Sequence, residues 1–179
     1  MKKTSRIAAQ SIGAIAVLGA VVIGLNWVRV ATAAQESVKY RSGIAAIGYY
    51  HYGVVPGTIV YDLHGVEGEA SAVSVLGGFF EFADAMKDRD FDEVLLAWRG
   101  DVRFRLPGGD FKEIGASVAW ENPVYLLRTF PERLKTPEGT PAFDVWTGGA
   151  LGVLNAQMED AIRLAETWFM REAILASSY

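Results

Sequence analysis

"TIVYDLHGVEGEASAVSVLGGFFEFADAMKDRDFDEVLLAW" (58–98) is the stretch that decides how this chain folds. Residues 58–63 are β-branched and aromatic and read as a strand. From 69 to 87, Ala72, Leu76, Phe79, Ala83 and Met86 recur at three- and four-residue steps, which is helical spacing. Gly77 and Gly78 in the middle cost about 1 kcal/mol each relative to alanine. The pair is therefore expected where the helix crosses the sheet closely. "EVLLAW" (93–98) is apolar on both faces, as a central strand must be. Strand, helix and strand in this order predict a parallel pair joined by a right-handed crossover.

Working outward, Val102, Phe104 and Leu106 alternate with Arg103 and Arg105, a half-exposed strand that pairs with 93–98 as a hairpin. Arg99-Gly100-Asp101 is the turn between them rather than an adhesion tripeptide, because Gly and Asp are default turn residues. Asp110 and Glu113 have capping-box spacing for a short helix within 107–115. Asn122 and Pro123 start another helix over 121–134, which Pro131 breaks or restarts. Residues 142–152 are a short strand or an aromatic loop. Over 150–175, Leu151, Leu154, Met158, Ala161, Ala165 and Trp168 form one face, widened by Ile162 and Phe169, and this face is expected to pack on the sheet.

Residues Ile7 to Val28 carry no charge and follow the basic start "MKKTSR". At ~1.5 Å per residue a helix of this length reaches about 33 Å, enough for a bilayer core of roughly 30 Å. Trp27 falls at its far end, an interfacial position. Ala31-Thr32-Ala33 resembles a signal cleavage site, but the apolar run exceeds the ~7–15 residues of a signal peptide. The expected organisation is a membrane anchor or uncleaved signal over 1–34, an aromatic juxtamembrane connector over 35–57 and a soluble domain over 58–179. The fold class is α/β (or α+β): one N-terminal transmembrane helix, then a small mixed sheet with a βαβ unit, a hairpin strand and a long C-terminal amphipathic helix.

Charge fits this topology. Lys2, Lys3, Arg6 and Arg29 are the charges before Gln35, and the other 145 residues hold 13 Lys/Arg against 21 Asp/Glu, a net of −8. The basic end is expected to stay in the cytoplasm and the acidic domain to cross the membrane. An acidic domain lacks the basic face that nucleic acid requires, so no nucleic-acid partner is expected. The absence of cysteine excludes disulfides, thiolate nucleophiles and lipoprotein anchoring.

Asp62 and His64 stand two apart on the first strand and so point to one face, where a carboxylate can orient an imidazole. They are the candidate catalytic pair, but no nucleophile is evident beside them. Ser71 and Ser74 lack the motifs that mark nucleophilic serines. "GVEGEA" (65–70) is neither a dinucleotide nor a phosphate loop, and Glu67 and Glu69 would repel an anion. His64, Glu67 and Glu69 could form a loose oxygen-rich site, as many acidic loops can, but the two histidines, His51 and His64, lack HxxxH or HxH pairing, and no metal or cofactor is expected.

Gly108-Gly109 and Gly148-Gly149 each precede a helix, and amides at such starts can bind a ligand or stabilise an oxyanion. With the unit from Thr58 to Arg99, "GGDFKEI" (108–114) and "GGALG" (148–152), the chain resembles the ClpP/crotonase superfamily over about 90 residues. That resemblance implies glycine-loop amides in an oxyanion hole, although the chain has no matching catalytic serine–lysine pair. The expected function is a non-catalytic accessory or interaction domain of an envelope complex, anchored in the inner membrane through residues 7–28 with its domain in the periplasm. The alternatives are a soluble periplasmic form cleaved near Ala33, and a membrane-anchored hydrolase or acyl-transfer enzyme of ClpP/crotonase-like fold.

Overall fold

The computed structural model describes residues 24, 26–53, 55, 57–67 and 70–176. Most of the expected anchor, up to residue 23, lies outside these. Among the described residues no helix is long and apolar enough to cross a membrane.

The chain forms a mixed α/β domain around one four-stranded sheet in the order β1-β2-β3-β4, with β1 Ile44–Tyr50, β2 Thr58–Val66, β3 Glu93–Trp98 and β4 Asp101–Pro107. β2 and β3 are parallel, as the 58–98 pattern predicts, with Tyr61 opposite Leu96. Helix α2 (Ala72–Met86) forms the crossover. Its N-cap is Ser71, whose hydroxyl accepts the Ser74 N–H at 3.1 Å, so these serines start a helix. β4 pairs antiparallel with β3 through the tight turn at Arg99 and Gly100. Strand β1 pairs antiparallel with β2 on the other edge.

β1 lies inside the stretch read as a connector. Its buried positions, Ile44, Ala46 and Tyr50, alternate with Ala45, Ile47 and Tyr49. Both sets are largely apolar, so the sequence carries no polar alternation to reveal a strand. The same stretch begins with the end of a helix, α1, that runs over 26–38. Val30 and Ala34 of α1 are fully buried over Gly48 of β1. A Cβ at Gly48 would come within 2.6 Å of the Val30 carbonyl oxygen, so only glycine lets α1 lie this close. The domain's core thus starts before residue 35.

Helices α3 (Gly108–Ser117), α4 (Pro123–Thr129), α5 (Ala150–Ala165) and α6 (Arg171–Ala176) follow, with a 3₁₀ turn at Pro131–Arg133 and a π turn at Glu166–Met170 joining α5 to α6. Every buried apolar residue supplied by a helix joins Ile59, Tyr61, Leu63, Val94 and Leu96 in one core. The opposite sheet face buries a smaller apolar cluster, Val60, Leu95 and Ala97, with Tyr49 and Val102 beside them. Trp168 is the centrepiece of the main core: it is fully buried, stacks near Tyr61 and Phe79, and donates its indole N–H to the Ala97 carbonyl at 3.0 Å.

Two packing expectations are corrected. Gly77 and Gly78 meet the Arg41 side chain and Val38 at the end of α1, not the sheet. Leu151, Leu154, Met158 and Ile162 of α5 are exposed, Leu151 by 80%. The side that α5 turns inward is polar there: buried Gln157 accepts from Arg128 at 2.9 Å and donates to Glu132 at 2.6 Å, and buried Asp160 accepts from the Trp146 indole at 2.6 Å. These hydrogen bonds clasp α5 to α4 and its flanking turns. Burial on the sheet begins only at Leu164, Ala165 and the π turn.

Candidate functional site

The C-terminal ends of β2 and β3 form the edge where open α/β sheets leave a crevice. Asp62 sits there on the sheet face away from the helices. It is 2% exposed, an expensive position for a carboxylate without partners. It has three: the Tyr49 hydroxyl donates to Oδ2, His64 Nε2 meets Oδ2, and the Gly100 backbone N–H donates to Oδ1, each at 3.1 Å. The alternation rule therefore brings Asp62 and His64 together as expected. Because a carboxylate only accepts, Nε2 carries the proton in the neutral ring and Nδ1 is left as the free acceptor. His64 is 45% exposed. Burial, reinforced by the Asp62 charge, pushes the Tyr49 phenol up from 10.0 to about 12, so Tyr49 remains a donor.

Chemically, an Asp-oriented imidazole with an open nitrogen can accept a proton. Among the described residues, no serine, threonine or lysine is bonded to this cluster. Its visible work is structural. The Asp62–Gly100 bond, with the Arg99 N–H donating to the Leu63 carbonyl at 2.9 Å and Arg99 Nε donating to the His64 carbonyl at 3.1 Å, ties the β3–β4 turn to β2.

The glycine pairs lie elsewhere. The Gly108 N–H donates to the Asp92 carbonyl at 2.9 Å, at the N-terminal end of β3. His64 stands beside Arg99, past the other end. At ~3.3 Å per residue the six-residue β3 separates them by about 20 Å. Gly108 is needed where it is, since a Cβ would overlap the Phe91 carbonyl oxygen. Gly148 has φ +130 and Gly149 caps α5; both are open, as is Gly109. Among the described residues no group of three or more acidic, histidine or cysteine side chains could hold a metal. Glu69, one of the loop carboxylates, lies outside them.

On the helix side of the same edge is a cavity of about 680 Å³. Val66, Trp98, Phe169, Met170 and Ile174 line it, and Arg99 and Glu67 contribute its two charges. The sequence could not bring these together, because Phe169 and Met170 come from a turn some seventy residues beyond Trp98. One local signal was present: Arg99 occupies a hairpin turn position that requires a left-handed backbone. Comparison with protein-family models, with curated proteins and with solved structures gives no match.

Proposed function

We propose that this chain is a single-pass protein of a bacterial-type inner membrane whose periplasmic α/β domain serves as a non-catalytic accessory or interaction subunit of an envelope complex. The observation that carries this reading is the outward apolar stripe of α5. Leu151, Leu154, Met158 and Ile162 step by three, four and four along one helix face, a spacing that suits a partner's apolar surface. The domain does not use this stripe for its own core.

The tethered end supports the membrane assignment. Trp27 donates its indole N–H to the Gly53 carbonyl at 3.0 Å, and its ring lies 6.4 Å from Tyr50. Tyr52 (82% exposed), Val28 and Val55 are exposed around that end of α1. Aromatic side chains are enriched at such interfaces. Cleavage after Ala33 would cut through α1 and remove buried Val30, which favours retention of the segment. The acyl-transfer alternative needs glycine amides beside His64, and Gly108 and Gly109 lie at the other end of the sheet.

Met158→Glu tests the interaction. In detergent-solubilised membranes the wild-type chain is expected to co-purify with a fixed envelope partner, and the variant to lose it at an unchanged melting temperature. Retention of the same partner by the Met158→Glu variant would remove the stripe from the account.

A further inference from the structure

We propose that the cavity between the ends of β2 and β3 and the π turn binds a short apolar peptide with both termini free. This site is separate from the α5 stripe and does not depend on the membrane assignment.

The argument starts from Arg99. With Gly100 it forms a two-residue turn in which both residues have positive φ, +49 and +87. Such hairpin turns favour Asn-Gly, and a side chain like that of arginine is strained in the left-handed region. Observed strain of this kind points to a use. The arginine is held firmly: Nε donates to the His64 carbonyl at 3.1 Å, and the guanidinium lies 5.3 Å from the centre of the Trp98 ring. The two terminal nitrogens have no partner among the described residues. They form a planar fork suited to a carboxylate.

Glu67 lines the same cavity. Its backbone is fixed by the N–H, which donates to the Gly43 carbonyl at 2.7 Å. Its carboxylate, like the Arg99 fork, has no partner among the described residues. An anion alone would bind in the field of Glu67, and a cation alone in the field of Arg99. A ligand bearing both charges satisfies both. The other lining side chains are apolar: Trp98, Phe169, Met170, Ala173 and Val66 among them. At about 680 Å³ the cavity falls within the ~300–1,000 Å³ of small-molecule sites, room for more than a single amino acid.

The test is calorimetric titration of the purified full-length chain, in mild detergent throughout, with the dipeptide Leu-Phe, N-acetyl-Leu-Phe, Leu-Phe amide and decanoate. Leu-Phe is expected to bind, and each blocked form to bind at least about tenfold more weakly, the scale of one charge-assisted contact. Arg99→Asn should weaken Leu-Phe by about tenfold yet leave Leu-Phe amide unchanged, because the partner of Arg99 is already missing. The same variant should stay folded with a melting temperature within a few degrees of wild type, because relief of the turn strain opposes loss of the Nε bond to the His64 carbonyl. Glu67→Gln, in an exposed loop, should be blind to N-acetylation and carries the test independently of the turn. No binding at about 10 mM Leu-Phe, decanoate binding as tightly as Leu-Phe, or unchanged Leu-Phe affinity in both variants would each overturn the proposal.

Discussion

Asp62 stands at the point where the candidate site and the stability of the sheet meet. It accepts from Tyr49, His64 and the Gly100 N–H, and it is almost completely buried. Asp62→Ala leaves the Tyr49 hydroxyl and the Gly100 amide without an acceptor. It should cost on the order of 2–4 kcal/mol, read from urea denaturation. His64→Gln removes only a half-exposed ring and should cost less than about 1 kcal/mol while leaving cellular function intact. Loss of function in a stably folded His64→Gln variant would instead assign the pair a catalytic role. Tyr61 provides a pH signature from the core. Burial raises its phenol from 10.0 to about 12, with Ser37 and Arg41 opposing and Glu81 reinforcing the shift. The unfolded chain therefore ionises first. The contribution is fully present below about pH 10 and is lost as pH rises toward about 12, on the order of 2 kcal/mol across that window. Tyr49 acts with the same sign but is partly solvated. Denaturation midpoints at pH 9 and pH 11.5 should differ less in Tyr61→Phe than in wild type; an equal difference would mean the core phenol is not the source.

Among the elements, α1 depends on a single residue, Gly48, for its close docking on β1. Gly48→Val would drive a side chain into the Val30 carbonyl and the Ala34 methyl group. Lifting α1 from β1 should cost about 1–3 kcal/mol by the usual scale of overpacking. A thermal melt at the wild-type temperature would mean that α1 is not docked as described. The helices and strands over 58–134 were legible because their chemistry matches their surroundings. Phe104 and Leu106 share the core face of β4 as their alternation predicts, although a bulge at Leu96/Ala97 turns Val102 to the other face, and Asn122 caps α4 by accepting the Val124 N–H at 2.9 Å. β1 was not legible, because Ala45, Ile47 and Tyr49 on its outer side are as apolar as its inner side. α5 was misread for the opposite reason. Its periodicity marks the outward stripe, while Gln157 and Asp160 hold the inward side by hydrogen bonds that hydropathy does not register. In the site, the period of two was enough to join Asp62 with His64, whereas the cavity required residues far apart in the chain.

For the whole molecule, the sheet and α1 have a fixed relation. α1 docks with its first residues beside Gly53 and its last beside Gly78, so its N-terminal end lies at the end of the sheet opposite Asp62 and the cavity. The fastening is intimate: Trp27 and Val30 belong to the packed domain, and Asn26 accepts from Arg89 at 2.9 Å. Removing residues up to 33 would strip the first part of α1, with buried Val30, from the core. The most direct test of a retained anchor is the intact mass of the protein purified from membranes. The account predicts the mass of the full chain, allowing for removal of the initiator methionine. A mature N-terminus at Ala34 would contradict it and leave a free periplasmic domain.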